Sequence, residues 1–187
     1  GVNAANVVEG DLLFGIHNDE NLDSSESGRL VALNLPKEIP AKQADPTKTD
    51  ATPLPPTAEA WRASVGAWSS SPVVTGGKLY QLTSTGNLFG YDSKTGKELW
   101  HLKLSEDNLH SSPAYANGLL YVPLKGGATG PGGAYQAPLF VVDAAKGEIV
   151  TKMMGFTHQL KSAPLKGAAG ERTAPPPEEP PQVLVRS

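Results

Sequence analysis

Cysteine is absent from all 187 residues. That removes disulfides, thiolate metal sites and thiol nucleophiles in one step. It leaves the compartment open, since a cysteine-free chain is at home anywhere. Long apolar runs are missing too: no stretch reaches the roughly 18 residues of a membrane helix. No secretory leader is visible, and Gly1 already stands in a strand lead-in, as expected of a processed or excised product. Lys and Arg number 16 against 19 Asp and Glu, for a formal net charge of −3. Nothing in this balance suggests a nucleic-acid footprint, which would need a basic patch. Aromatic residues make up 6% of the chain and apolar residues 39%, enough for a thin core. Gly, at 20, and Pro, at 17, are plentiful, which points to many turns.

Three stretches repeat one pattern: "ANVVEGDLLFGI" (5–16), "SPVVTGGKLYQL" (71–82) and "SPAYANGLLYVP" (112–123). Each has an apolar pair, a Gly or Asn turn, and alternating apolar residues, the signature of two short strands joined by a tight turn. Pro72 and Pro113 stand 41 residues apart, as do Tyr80 and Tyr121. Third strands follow at 28–34, 86–92 and 138–143, ending in Asn34, Asp92 and Asp143. Fourth strands follow at 58–65, 97–104 and 148–154. Four short strands at a period of about 41 residues describe a propeller blade. The fold class is all-β, with three four-stranded blades at about 5–65, 70–105 and 111–155.

The sharpest local signal is "LFGYDSKTGKELW" (88–100). Asp92 can close a turn by accepting backbone N–H bonds. Gly96 can take the positive φ that such a turn with a bulge requires. Trp100 then falls on the outermost strand, where it can bury its ring against a neighbouring blade while its N–H finds an acceptor. The pattern reads as structural rather than catalytic. Its third copy, "DAAKGEIVT" (143–151), keeps Asp143 and Gly147 but places Thr151 near the Trp position; the first keeps Trp61 after a long insertion. With Thr95, these residues form the blade motif.

"DSKTGKELW" resembles the repeat of the pyrroloquinoline-quinone (PQQ)-like β-propellers, and the resemblance covers roughly residues 5–155. It implies a ring of typically eight blades, of which this chain would supply three. The family includes quinone-dependent alcohol dehydrogenases, the propeller lipoprotein of the outer-membrane barrel-assembly machine, and bacterial surface proteins. The dehydrogenases use an adjacent Cys pair, a Trp platform and a calcium ion; the Cys pair is absent here and no ligand motif matches. The expected function is a non-catalytic binding or scaffolding module of the cell envelope, periplasmic or extracellular. Its partner would be another protein, or further blades that complete the ring. The alternatives are a piece of a PQQ-dependent alcohol dehydrogenase and a calcium-dependent adhesion or carbohydrate-binding module. No cofactor is expected, PQQ and calcium being the two that the alternatives would bring.

Between the second and third strands the first and third blades carry longer loops, 17–27 and 125–137, on one rim, which becomes the default binding face. In the first of these, Asp19, Asn21 and Asp23 match the opening ligand positions of a calcium loop, but Ser24 and Leu30 break the pattern. The bland reading is a solvated polar loop. The Gly-rich stretch at 126–133 lacks the helix and Lys of a phosphate cradle and reads as a loop. His110 stands beside Ser111 and Ser112, but the matching "WSSSP" of the preceding blade has no His, so these serines read as entry turns. Val7 and Leu13 of the first blade, with Leu139 and Val141 of the third, are expected on outward sheet faces. The Pro-rich insertion at 36–57 and the tail at 161–187 are too poor in apolar residues to fold alone; residues 1–160 are the propeller part.

Overall fold

The computed structural model describes residues 4–37, 54–106, 110–125, 127–129 and 134–159. Most of the Pro-rich insertion, all of the 161–187 tail and much of the Gly-rich loop lie outside them. The described chain forms three antiparallel sheets. Blade 1 is β1 (Val7–Glu9), β2 (Leu12–Glu20), β3 (Ser27–Asn34) and β4 (Glu59–Ala63). Blade 2 is β5 (Val73–Thr75), β6 (Lys78–Leu82), β7 (Asn87–Asp92) and β8 (Glu98–Lys103). Blade 3 is β9 (Ala114–Ala116), β10 (Leu119–Pro123), β12 (Ala134–Asp143) and β13 (Glu148–Gln159), with β11 (Gly127–Thr129) added to β12. Every blade pairs its four principal strands in chain order, so the architecture is a segment of a β-propeller.

The strands follow from alternation, the turns from left-handed residues. In the first hairpin of blade 2, Gly76 and Gly77 have φ of 57° and 75°; in blade 3 Asn117 and Gly118 have 51° and 79°. Two successive positive φ values match the right-handed twist of the flanking strands, which an ordinary turn would splay. A bulge recurs between the third and fourth strands. Ala32 pairs Trp61 but Leu33 pairs Glu59; Gly90 pairs Trp100 but Tyr91 pairs Glu98; Val141 pairs Thr151 but Val142 pairs Ile149. Trp61, Trp100 and Thr151 are thus at one structural position.

Two apolar clusters fill the spaces between sheets. The back face of blade 1 (Phe14, Ile16, Leu30, Ala32, Trp61) meets the front face of blade 2 (Leu79, Tyr91, with Phe89 and Val74). The back of blade 2 (Tyr80, Leu82, Leu88, with Trp100 and Leu102) meets the front of blade 3 (Leu120, Val122, Phe140, Val142). Period-2 alternation puts the two sets of each blade on opposite faces.

Two expectations are corrected. The Gly-rich segment is not wholly loop: Gly127–Thr129 pairs with Ala134–Gln136, and β13 runs on to Gln159. Pairing uses backbone groups, which glycine supplies as well as any residue, so a scarcity of side-chain pattern hides such a strand. Val7 does not face outward. It pairs with Phe14, which is fully buried against blade 2, and its neighbours Val8 and Leu13 take the outward side.

Candidate functional site

The residues of the blade motif come together between sheets. Asp92 ends β7, and its Oδ1 accepts from the Thr95 hydroxyl (2.8 Å), the Thr95 N–H (2.8 Å) and the Lys94 N–H (3.1 Å). The Gly96 N–H returns to the Asp92 carbonyl at 2.9 Å, with Gly96 at φ 70°. Asp143 repeats the arrangement with the N–H groups of Ala145 and Lys146, and Gly147 stands at φ 71°.

These turns form shelves for the indoles of the preceding blade. Trp61, 8% exposed, donates its Nε1–H to the Ser93 carbonyl at 2.8 Å. Its ring lies so close to Gly96 that a Cβ there would stand 2.5 Å from Cδ2. Trp100 of blade 2 donates to the Ala144 carbonyl at 3.2 Å and covers Gly147, where a Cβ would again stand 2.5 Å from Cδ2. The residue paired with each indole is small: Ala32 opposite Trp61, Gly90 opposite Trp100. Tyr91 stacks within this layer, 6.1 Å from Trp61 and 5.6 Å from Phe89, and burial pushes its phenol well up.

The Asp92 carboxyl is held below its ordinary 3.8, first by the Thr95 hydroxyl and then by the Thr95 N–H. A folded-state value below the unfolded one stabilises the fold above about pH 4 and is lost as pH falls through the depressed value. Asp92→Asn should therefore unfold less steeply with acid than the parent chain below about pH 4. Urea midpoints at a series of pH values test this; identical acid slopes would show that the carboxylate contributes nothing.

A second line of inter-blade contacts runs along the innermost strands. The Ala5 N–H donates to Ser71 Oγ, and the Ser71 N–H donates to Ser112 Oγ, both at 2.8 Å. Of the two serines beside His110, Ser112 is thus a step of a ladder, while Ser111 donates its hydroxyl to the Pro123 carbonyl. Ser69 donates to the His110 carbonyl at 2.8 Å, with its Oγ 3.3 Å from His110 Nδ1. On the turn rim, Glu9 accepts from the Ser93 hydroxyl at 2.9 Å and the Gly77 N–H at 3.3 Å. Gln81, fully buried in β6, donates to the Ser70 and Leu82 carbonyls. Sequence reasoning missed Glu9 and Gln81; a Gln inside the apolar run "KLYQL" was the available signal.

In the acidic loop the side chains engage neighbouring groups. Asp19 lies near the end of β2, and Asn21 donates its amide to the carbonyls of Glu26 (2.6 Å) and Gly28 (3.2 Å). Asp23 binds Arg29 with one oxygen and Arg62 with the other, the latter at 2.7 Å. These guanidiniums hold its carboxyl far below the usual range. Among the described residues no three His, Asp or Glu side chains form a group able to hold a metal ion. No described helix is long and apolar enough to cross a membrane.

The family model described as outer membrane protein assembly factor BamB matches residues 54–153, more than half of the chain. A search of curated proteins found no match. Among solved structures, a europium-containing methanol dehydrogenase aligns with a TM-score of 0.55 and 17% identity, over 82% of this chain and 26% of that one. BamB from Moraxella catarrhalis aligns with a TM-score of 0.51 and 16% identity, over 82% of this chain and 37% of its own. The computationally designed Ika8 protein gives 0.52 and 10%, over 84% and 38%. These likenesses speak for the fold, and the chain spans well under half of each relative. With its indole-on-glycine blade contacts and this match, the chain belongs to the BamB-like family of PQQ-type β-propeller repeats.

Proposed function

We propose that this chain is a non-catalytic binding and scaffolding module of the bacterial cell envelope, working in the periplasm or at the cell surface within a larger propeller or complex. One observation carries the reading: among the described residues, the outer faces of blades 1 and 3 are apolar and partly exposed. On the front of blade 1 stand Val8, 54% exposed, with Leu13, Val31 and Leu33; on the back of blade 3 stand Tyr121, Leu139 and Met153, the last 43% exposed. Covering such surface gains about 25 cal/mol per Å², and leaving it in water invites mispairing. A family described by an assembly factor supports polypeptide as the cover.

The dehydrogenase relatives raise PQQ and a metal as candidates. Among the described residues Asp23 is engaged by two guanidiniums, and no three His, Asp or Glu side chains form a group able to hold a metal ion, which supports the non-catalytic reading. The calcium-dependent adhesion reading meets the same Arg29–Asp23–Arg62 cluster.

A photo-crosslinking residue placed at Leu13 or Tyr121 in cells tests the scaffold reading. Adducts with polypeptide are expected at both faces. Incubation with PQQ and calcium should leave no quinone absorbance after desalting; stoichiometric retention, with no adduct at either face, would replace this reading with the dehydrogenase one.

A further inference from the structure

One side chain inside the blade 1–blade 2 joint is polar among apolar neighbours. Gln81 stands two residues after Leu79 in β6, and alternation turns both toward blade 1. It is fully buried. Pairing puts Gly15 of blade 1 and Val122 of blade 3 at the same station. Val122 is fully buried as well, so the blade geometry accepts an apolar side chain there. The amide of Gln81 is therefore to be explained by what it binds.

Half of that amide is accounted for within the protein. Nε2 donates to the Leu82 carbonyl at 2.7 Å and the Ser70 carbonyl at 3.0 Å, with Ser70 Oγ at 3.3 Å. The two carbonyls take both of its hydrogens. The opposite orientation would set the amide oxygen against both carbonyls, so the orientation is fixed. Oε1 is left buried with no protein donor. Such a carbonyl is costly, and native structures rarely keep one unpaired. Ser70 supplies the complement. It is fully buried in the connection between β4 and β5. Gln81 Nε2 is itself a donor, so it makes no use of the Ser70 hydroxyl proton.

We infer that the blade 1–blade 2 joint binds one water molecule, which donates to Gln81 Oε1 and accepts from the Ser70 hydroxyl. The chemistry of the site selects this ligand. An amide carbonyl calls for an O–H or N–H donor. Amide, hydroxyl and carbonyl groups carry no net charge, so an ion would lose its hydration here without a counter-charge. Buried water takes about two to four polar partners and satisfies groups that would otherwise stay unpaired. Bound there, the molecule ties the inter-blade connection at Ser70 to the second strand of blade 2. The same connection is anchored on either side of that point, by buried Ala67 and by Ser71, which accepts from the Ala5 N–H. Since both partners lie fully inside the joint, the water exchanges when the joint opens. The inference is independent of whether the chain acts as a scaffold.

Oxygen-17 relaxation dispersion on the purified full chain detects long-lived internal water without interference from hydroxyl protons. The parent chain should show such a water, and Ser70→Ala should shorten its residence time at least tenfold. That variant keeps the backbone carbonyl that Gln81 Nε2 uses, so it should remain folded by circular dichroism. A high-resolution crystal structure of the parent gives a second reading: density for a water within about 3.2 Å of both Gln81 Oε1 and Ser70 Oγ. A parent chain with no long-lived water overturns the inference. So does a folded Ser70→Ala variant with unchanged dispersion, or a crystal structure in which a protein N–H or O–H donates to Gln81 Oε1. Should Ser70→Ala fail to fold, the parent's dispersion and crystal structure decide.

Discussion

Trp61→Ala is expected to destabilise the fold by about 3–5 kcal/mol, the range for truncating a large buried aromatic. The indole is 8% exposed and spans the joint between blades 1 and 2, within 6.0 Å of Phe14 and 6.1 Å of Tyr91. Its removal opens a cavity and strips the Ser93 carbonyl of its donor. A single domain has roughly 5–15 kcal/mol in total, so one substitution would take a large share. The urea midpoint should fall with an unchanged slope. A loss below about 1 kcal/mol would show that the ring does not hold the joint.

Gly96→Ala should cost roughly 2–4 kcal/mol, through two separable effects. An L-residue at φ 70° pays about 1–2 kcal/mol, and the new Cβ would meet the Trp61 ring at 2.5 Å, an overpacking term of about 1–3 kcal/mol. Gly76→Ala isolates the first effect, since Gly76 has φ 57° and nothing within 4 Å of its would-be Cβ. In the Trp61→Ala background, Gly96→Ala should cost no more than Gly76→Ala does in the parent. The double-mutant cycle would then show a coupling of about 1–3 kcal/mol. Additive costs would separate Gly96 from Trp61 and contradict the shelf.

The blades were legible because their causes are local. Alternation at "KLYQL" and "NLFGYD", left-handed turn residues, and a 41-residue period all sit in short windows. The Asp92 turn was legible for the same reason: its partners are two and three residues away. What sequence did not yield depends on registers between distant segments. Trp61 meets a shelf thirty-odd residues on, in the next blade, and Asp23 meets Arg62 across the sheet. The spacing of Asp19, Asn21 and Asp23 carries no trace of those guanidiniums, which is why a cation loop and a salt-bridged loop look alike. Val7 and Val8 illustrate the finest limit. A one-residue choice of register decides which valine turns inward, and only pairing with Phe14 settles it.

Hydrogen exchange at the three indole N–H groups, followed by NMR, tests the blade joints most directly. Trp61 donates to Ser93 inside a buried layer, Trp100 donates to Ala144 at a half-buried site, and Trp68 is exposed. The Trp61 proton should exchange slowest, at a rate set by opening of the blade 1–blade 2 joint. Trp100 should be intermediate and Trp68 fast. A Trp61 proton that exchanges as quickly as that of Trp68 would mean that the indole does not bridge the blades, and would contradict the account.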